Sequence, residues 1–433
     1  MFEPSIYFSP NQKQQGAATL LVATLLLVVA LVITLASYKG VFFQAKRVQN
    51  EIEARQLHWK GEGRLECVLA KLVDVSSNDP NSVSYNDCDQ PTNIQITRQG
   101  SSNLYTVESN ENGYQVAKVL RIPGAGTLGA ITSTADLFMI GSFDIKPQPV
   151  QLISTPDLYS CVAVKYSKNI YLNATSNLQT TIPTSPDFPS TTRCASSYQT
   201  SISNPSSVLK LSEENNQLDE DGTQLLSENN FKGDFYYDSD LDPFEDLFGV
   251  PKSELSSVKK EFTVITGGFC SGSVCPCDSN IASAIEQNKS LIWVDGTCDF
   301  GHATQTLSKD TSAGIIVVVQ NGLLGSTGSV PFNGVLYHLN TAFTPSLSLW
   351  SNMAESSWVA SYYTASMQSS GIPVPSLFMT GAKVPDGVLI VDTPGSLAMI
   401  YASMDVAYDG KKINHALSKL YKPKWLKGSW HDF

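Results

Sequence analysis

Charge is scarce in this chain. Only 16% of its 433 residues are Asp, Glu, Lys or Arg, and the balance is acidic, at −11. A phosphate-binding surface needs clustered Lys and Arg, so direct nucleic-acid binding is disfavoured. The one basic cluster is Lys411, Lys412, Lys419, Lys422, Lys424 and Lys427 near the C-terminus; it reads as a solvated face. Histidine is scarcer still. His58, His302, His338, His415 and His431 are scattered, with no His-Glu-x-x-His pair, phosphate loop or Gly-x-Ser-x-Gly elbow. Asp295 and Asp299 lie four apart, where a turn aspartate is the ordinary explanation. No enzyme is expected.

What the chain does contain is Gly, Ser, Thr and Asn in quantity, a profile that suits a β-rich extracytoplasmic protein. Its eight cysteines are Cys67, Cys88, Cys161, Cys194, Cys270, Cys275, Cys277 and Cys298. The even count points to disulfides in an oxidising compartment. Local spacing favours Cys67–Cys88 and Cys161–Cys194, with the last four pairing among themselves. A four-thiolate zinc site is the rival reading of those four, against the usual Cys-x-x-Cys arms.

One long apolar run stands out, Ala17 to Tyr38. It is uncharged and long enough to span a bilayer as a helix, and longer than a signal-peptide core. Past it, Tyr38, Val41, Ala45, Val48 and Ile52 recur three and four apart among Lys46, Arg47, Glu51, Glu53 and Arg55. That is an amphipathic stripe. One helix over 17–73 is expected, extended through Leu65, Leu69 and Leu72, with Gly61 and Gly63 as weak points.

Residues 74–127 follow as a small antiparallel β region, from alternating segments such as Ile94 to Thr97 and Leu104 to Val107. Residues 128–150 and 261–410 hold short, nearly continuous apolar runs. Asp295-Gly296, Asn321-Gly322, Asn333-Gly334 and Asp386-Gly387 supply the turns. An antiparallel sandwich could use the same phrases. Apolar runs without alternation and imperfect repetition favour an irregular parallel β-helix. Residues 151–260 read as an insertion, Ser/Thr/Asn/Pro-rich and then acidic, projecting from one coil. Residues 411–433 read as a basic tail. Within the insertion, Gln217 to Glu228 approaches a calcium loop, with Asp219, Asp221 and Glu228 as ligands around Gly222. Its first position is Gln, so a solvated acidic loop is favoured.

The leader Met1 to Gly16, ending Lys13-Gln-Gln-Gly16 before Ala17-Ala18, resembles the prepilin leaders of type IV pilins and type II secretion pseudopilins. The resemblance is to the PilX-type minor pilins in particular. Ile292-Trp-Val-Asp-Gly-Thr-Cys298, Phe332-Asn-Gly-Val-Leu-Tyr337, Phe244 to Glu254 and Gly428 to Phe433 are similar to the same group. The resemblance implies cleavage by prepilin peptidase after Gly16 and N-methylation of Ala17. Most major pilins carry Glu at the fifth mature position, where this chain has Leu21. K-type minor pseudopilins share that loss and sit at filament tips. The implied role is a minor pilin, anchored by one pass in the inner membrane with its head in the periplasm, then carried to the pilus tip. Other minor pilins, the major pilin and a tip adhesin would be its partners, with nucleic acid reached only through the tip complex. A K-type pseudopilin and a membrane-anchored periplasmic β-helix enzyme are the alternatives, and a plain single-span anchor is the simplest one.

Overall fold

The computed structural model describes residues 12–75, 80–99, 104–122, 128–154, 157–183, 188, 190–212, 231–270, 275–300, 314–328, 330–417, 420, 423–426, 428–429 and 431–432. It is one long N-terminal helix followed by a mainly β remainder.

The helix, α1, runs unbroken over Gln12–Val75, about 96 Å at 1.5 Å per residue. Neither Gly61 nor Gly63 interrupts it. From Gly61 onward it buries Arg64, Leu65, Val68 and Leu72, three and four apart, on one face. That face packs on an antiparallel sheet of β1 (Ile94–Arg98), β2 (Leu104–Glu111) and β3 (Tyr114–Arg121). Tyr105, Val107, Val116, Leu120 and Ile122 complete the small core. Gly61 has a packing reason. A Cβ there would lie 2.9 Å from Val116 Cγ2, too close for helix and sheet to keep their separation.

Among the described residues, the remaining strands form a second, sixteen-stranded sheet and a small three-stranded one, apart from two short C-terminal strands that join the first sheet. The large sheet divides into three ladders of parallel strands. The first stacks Thr263–Thr266, Leu291–Asp295, Ile315–Gln320, residues 334–339, residues 388–391, Ile131–Ser133, Val164–Tyr166 and Phe235–Tyr237. The second stacks Cys298–Phe300, Leu324–Ser326, residues 377–379, residues 397–401, residues 136–140 and Ile170–Leu172. The third brings together residues 330–333, 383–386, 402–407 and 141–146 with Asn177–Thr180. Among the described residues, the strands that join this sheet antiparallel are Ser201–Ser203 and Leu209–Leu211, at its edge. An all-antiparallel sandwich is not what forms.

Stacking order departs from chain order. Asp136–Lys146 pairs along its whole length with Leu397–Ala407. The chain therefore steps outward from residue 131 to 237, crosses to the far end, and returns through residues 263–407 to meet its own first strands. Segment 151–260 accordingly differs from the expected projecting insertion. Its strands at 164–166, 170–172, 177–180 and 235–237 extend all three ladders.

The crossing piece is a short helix, Pro243–Phe248. Asp242 caps it by accepting from the Phe244 and Glu245 amides, Pro243 opens it, and Gly249 closes it in a left-handed conformation. Phe244 and Phe248 pack against Tyr337, and Phe248 also against Phe262. The helix is held from the strand side by buried Lys165, 2.9 Å from Asp246 and 3.1 Å from Asp238. Burial pushes the Lys165 pKa down, but the two carboxylates outweigh it and the net shift is up.

Apolar runs without alternation need cover on both faces. Ile315–Gln320 is buried at every position. Helix Gly410–Leu417 covers this ladder through Ile413, Ala416 and Leu417. Trp350, Met353, Val359 and Tyr363 cover the second ladder over Phe378, Leu397 and Met399. The described part of the C-terminal segment is thus docked on the protein, with Lys411 and Lys424 exposed. Lys412 pairs with Asp386 and Asp409, and Lys424–Trp425 and His431–Asp432 add antiparallel to β3. Lys419, Lys422 and Lys427 lie outside the described residues.

Two of the four Asx-Gly steps are turns between strands, at Gly296 and at Asn321-Gly322. Asn333-Gly334 and Asp386-Gly387 instead sit inside continuous strands, Val330–Leu339 and Pro375–Asp392, in register with each other.

Candidate functional site

The first half of α1 has no protein against it. Leu20, Leu21, Leu25, Leu26, Leu27, Ile33 and Leu35 are all exposed, and the helix is apolar and long enough to cross a membrane. Its few hydroxyls are satisfied internally. Thr19, Thr24, Thr34 and Ser37 donate to the carbonyls of Gly16, Leu21, Leu31 and Ile33 at 2.9–3.0 Å. Such back-bonding lets polar side chains sit in an apolar medium. Leu21 leaves this span without a carboxylate. The stripe Tyr38, Val41, Val48 and Ile52 is exposed as well, so the amphipathic face meets nothing within the chain. Gly16 and Ala17 lie on the helix, in its first two turns; residues 1–11 of the leader lie outside the described residues.

Where the helix meets its sheet, Arg64 is buried and fully engaged. Nε donates to the Asp89 carbonyl at 2.9 Å and Nη1 to Ser109 Oγ at 3.2 Å. Nη2 donates to Gln90 Oε1 at 2.8 Å and pairs with Glu111. Lys118 pairs with Glu62 and Glu66 of α1, each at 3.1 Å. Cys67–Cys88 closes the same junction. Ion pairs, hydrogen bonds and a disulfide thus tie the helix to its sheet where the exposed part ends.

All eight cysteines are paired. Cys67–Cys88 and Cys161–Cys194 form as spacing suggests, and the last four pair as Cys270–Cys275 and Cys277–Cys298. This overturns the four-thiolate zinc reading, since disulfide sulfurs are not thiolates. Among the described residues the grouping with metal-ligand spacing is Cys270, Cys275 and Asp299, and its two sulfurs are bonded to each other. The calcium-loop residues Asp219, Asp221 and Glu228 lie outside the described residues. Asp295 pairs with Lys259, while buried Asp299 accepts from the Ala354 amide at 3.1 Å. The two aspartates serve different partners on different ladders.

His338 is wholly buried and its Nε2 bonds the Gly322 carbonyl at 2.9 Å. Burial pushes its pKa down to about 4. The unfolded chain, near 6.5, then binds the proton more readily than the folded one. Stability is full above pH 6.5 and is lost as pH falls towards 4, by about 3 kcal/mol. Urea titrations of wild type and His338→Gln across this window check it. The variant should lose that slope, and an unchanged slope would reject the assignment.

Sequence reading missed a groove on the third ladder, lined by Ser142, Asp144, Asn177, Gln179, Ser403 and Asp405 and, between them, by apolar residues. A signal was present. Polar–apolar–polar triplets recur at 142–144, 177–179, 201–203 and 403–405, but nothing local says that they meet. Comparison with protein-family models, with curated proteins and with solved structures finds no match for this chain.

Proposed function

We propose that this chain is a pilin-like structural protein, a minor pilin of the PilX type at the tip of a type IV pilus. The observation that carries the proposal is the division of α1. Its first half is apolar and exposed on every side, and its second half is locked to an antiparallel sheet by Arg64, Gly61 and Cys67–Cys88. A helix of that kind can be held by a bilayer first and by neighbouring helices of a filament afterwards, because both environments bury the same apolar surface.

On this reading prepilin peptidase cuts after Gly16 and Ala17 is N-methylated. One pass anchors the protein in the inner membrane, with the disulfide-bonded head in the periplasm. Assembly with other minor pilins and the major pilin then carries the head to the tip, where it presents a tip adhesin or its own surface. We read the three ladders of the head as an irregular parallel β-helix, since the chain visits first, second and third ladder in turn over residues 131–146, 164–180, 315–333, 334–386 and 388–407. Leu21 supports the tip position, because a carboxylate buried there would need a charged partner from the next subunit. The same residue favours the K-type pseudopilin as second reading, which predicts lost secretion with normal piliation.

Mass spectrometry of the mature N-terminus tests the proposal, in cells with and without prepilin peptidase. A chain starting at methylated Ala17 only when the peptidase is present is the expected result. An intact Met1 in both strains leaves a plain membrane anchor.

A further inference from the structure

Four short segments converge on the third ladder. In Ser403-Met404-Asp405, Ser142-Phe143-Asp144, Asn177-Leu178-Gln179 and Ser201-Ile202-Ser203, the middle residue of each is buried. Side chains alternate along a strand, so the flanking residues point outward, into a groove of about 580 Å³. Register aligns them. Ser403, Ser142, Asn177 and Ser203 form one row, and Asp405, Asp144, Gln179 and Ser201 a second. With strands about 4.8 Å apart, each row offers a hydrogen-bonding group at that interval over about 14 Å.

Several of these groups are held in place. Ser203 Oγ donates to Asn177 Oδ1 at 2.8 Å, and Thr181 Oγ1 donates to Asp144 Oδ1 at 2.7 Å. Lys146 holds Asp405 through Oδ1. Each of these contacts fixes a side chain before any ligand arrives, which lowers the entropy lost on binding. The eight outward residues carry only hydroxyl, amide and carboxylate groups, while Phe143, Leu178, Ile202 and Met404 between them line the floor, so the groove offers hydrogen bonds along its rows and apolar surface between them. Two carboxylates against one lysine leave the groove acidic, which repels polyanions.

We propose that this groove binds a neutral oligosaccharide lying across the strands. Hydroxyl, amide and carboxylate groups repeat at an interval close to the length of one hexose unit, and a sugar chain offers hydroxyl donors and acceptors along its whole length. The inference does not depend on whether the chain enters a filament.

The test is calorimetric titration of the full-length protein in detergent. The probes are pentamers of β-1,4-glucose, β-1,4-N-acetylglucosamine and α-1,6-mannose, with a galacturonate pentamer and calcium chloride as controls. At least one neutral pentamer should bind below about 1 mM. The double variant Asn177→Ala, Gln179→Ala should weaken it about ten-fold or more without moving the melting temperature, and Trp358→Ala, on the second ladder's cover, should not weaken it. Failure of all three neutral pentamers to bind overturns the proposal. So does binding that ignores the double variant, or binding of the acidic pentamer or calcium alone.

Discussion

Replacing Gly334 by valine is expected to unfold the head. Gly334 has φ of +125°, a region in which residues with a side chain are strained by about 1–3 kcal/mol. A Cβ there would also overlap the Ile315 carbonyl oxygen on the adjacent strand, with the Ile315 nitrogen only 2.5 Å away. That obstacle is backbone inside a parallel ladder, so it cannot rotate aside. On the other side, the Gly334 carbonyl occupies the place of a Cβ on Gly387. Two of the three strands that stack here therefore do so only without a side chain, at Gly334 and Gly387. Strain and overlap together should cost about 4 kcal/mol or more. The readout is the denaturant midpoint, followed by fluorescence of buried Trp293. Gly395→Val is the control. It lies in the head and too has positive φ, +77°, but nothing lies within 4 Å of its Cβ. If the two variants lose equal stability, close approach of the strands is not the reason for Gly334.

Arg64→Met should detach the N-terminal sheet from α1 while the head stays folded. The substitution keeps an aliphatic stem and removes the guanidinium. Glu111 is left with its side chain 12% exposed and Lys60 3.9 Å away. The Asp89 carbonyl loses the Arg64 donor, and Gln90 Oε1 keeps the bond from Asn93. Breaking a buried pair from one side costs about 3 kcal/mol or more, because the remaining charge is stranded. Hydrogen exchange should rise over residues 94–121 and not over residues 315–339. Adding Glu111→Leu should recover much of the loss, since the stranded carboxylate is then gone. A double variant as unstable as Arg64→Met would show that the arginine acts through Ser109 and the Asp89 carbonyl instead.

The exposed part of α1 was legible from Ala17 to Tyr38 because the signal is local. An unbroken apolar run needs no partner to be read. Its docked part was harder. Leu65, Val68 and Leu72 keep the helical spacing, but Gly61 looks like a weakness until Val116 is seen against it. The opposite problem hid the groove. Ser142-Phe143-Asp144 and Ser403-Met404-Asp405 each look like ordinary half-buried strand, and 261 residues separate Ser142 from Ser403. The docking of the C-terminal segment was hidden for a related reason. Ile413, Ala416 and Leu417 are too few to announce a covering helix, and Lys412 finds Asp386 only in the folded head.

By itself the sequence determined the apolar helix, the mainly β character of the rest and the two early disulfide pairs. Each follows from residues near one another, where periodicity or short loop closure carries the information. Tertiary structure alone decided that residues 136–146 dock along 397–407, that segment 151–260 extends the ladders, and which residues share the groove. Parallel pairing joins strands whose connection can be of any length. Nothing in either strand names its neighbour until the apolar faces of both are buried in one shared core.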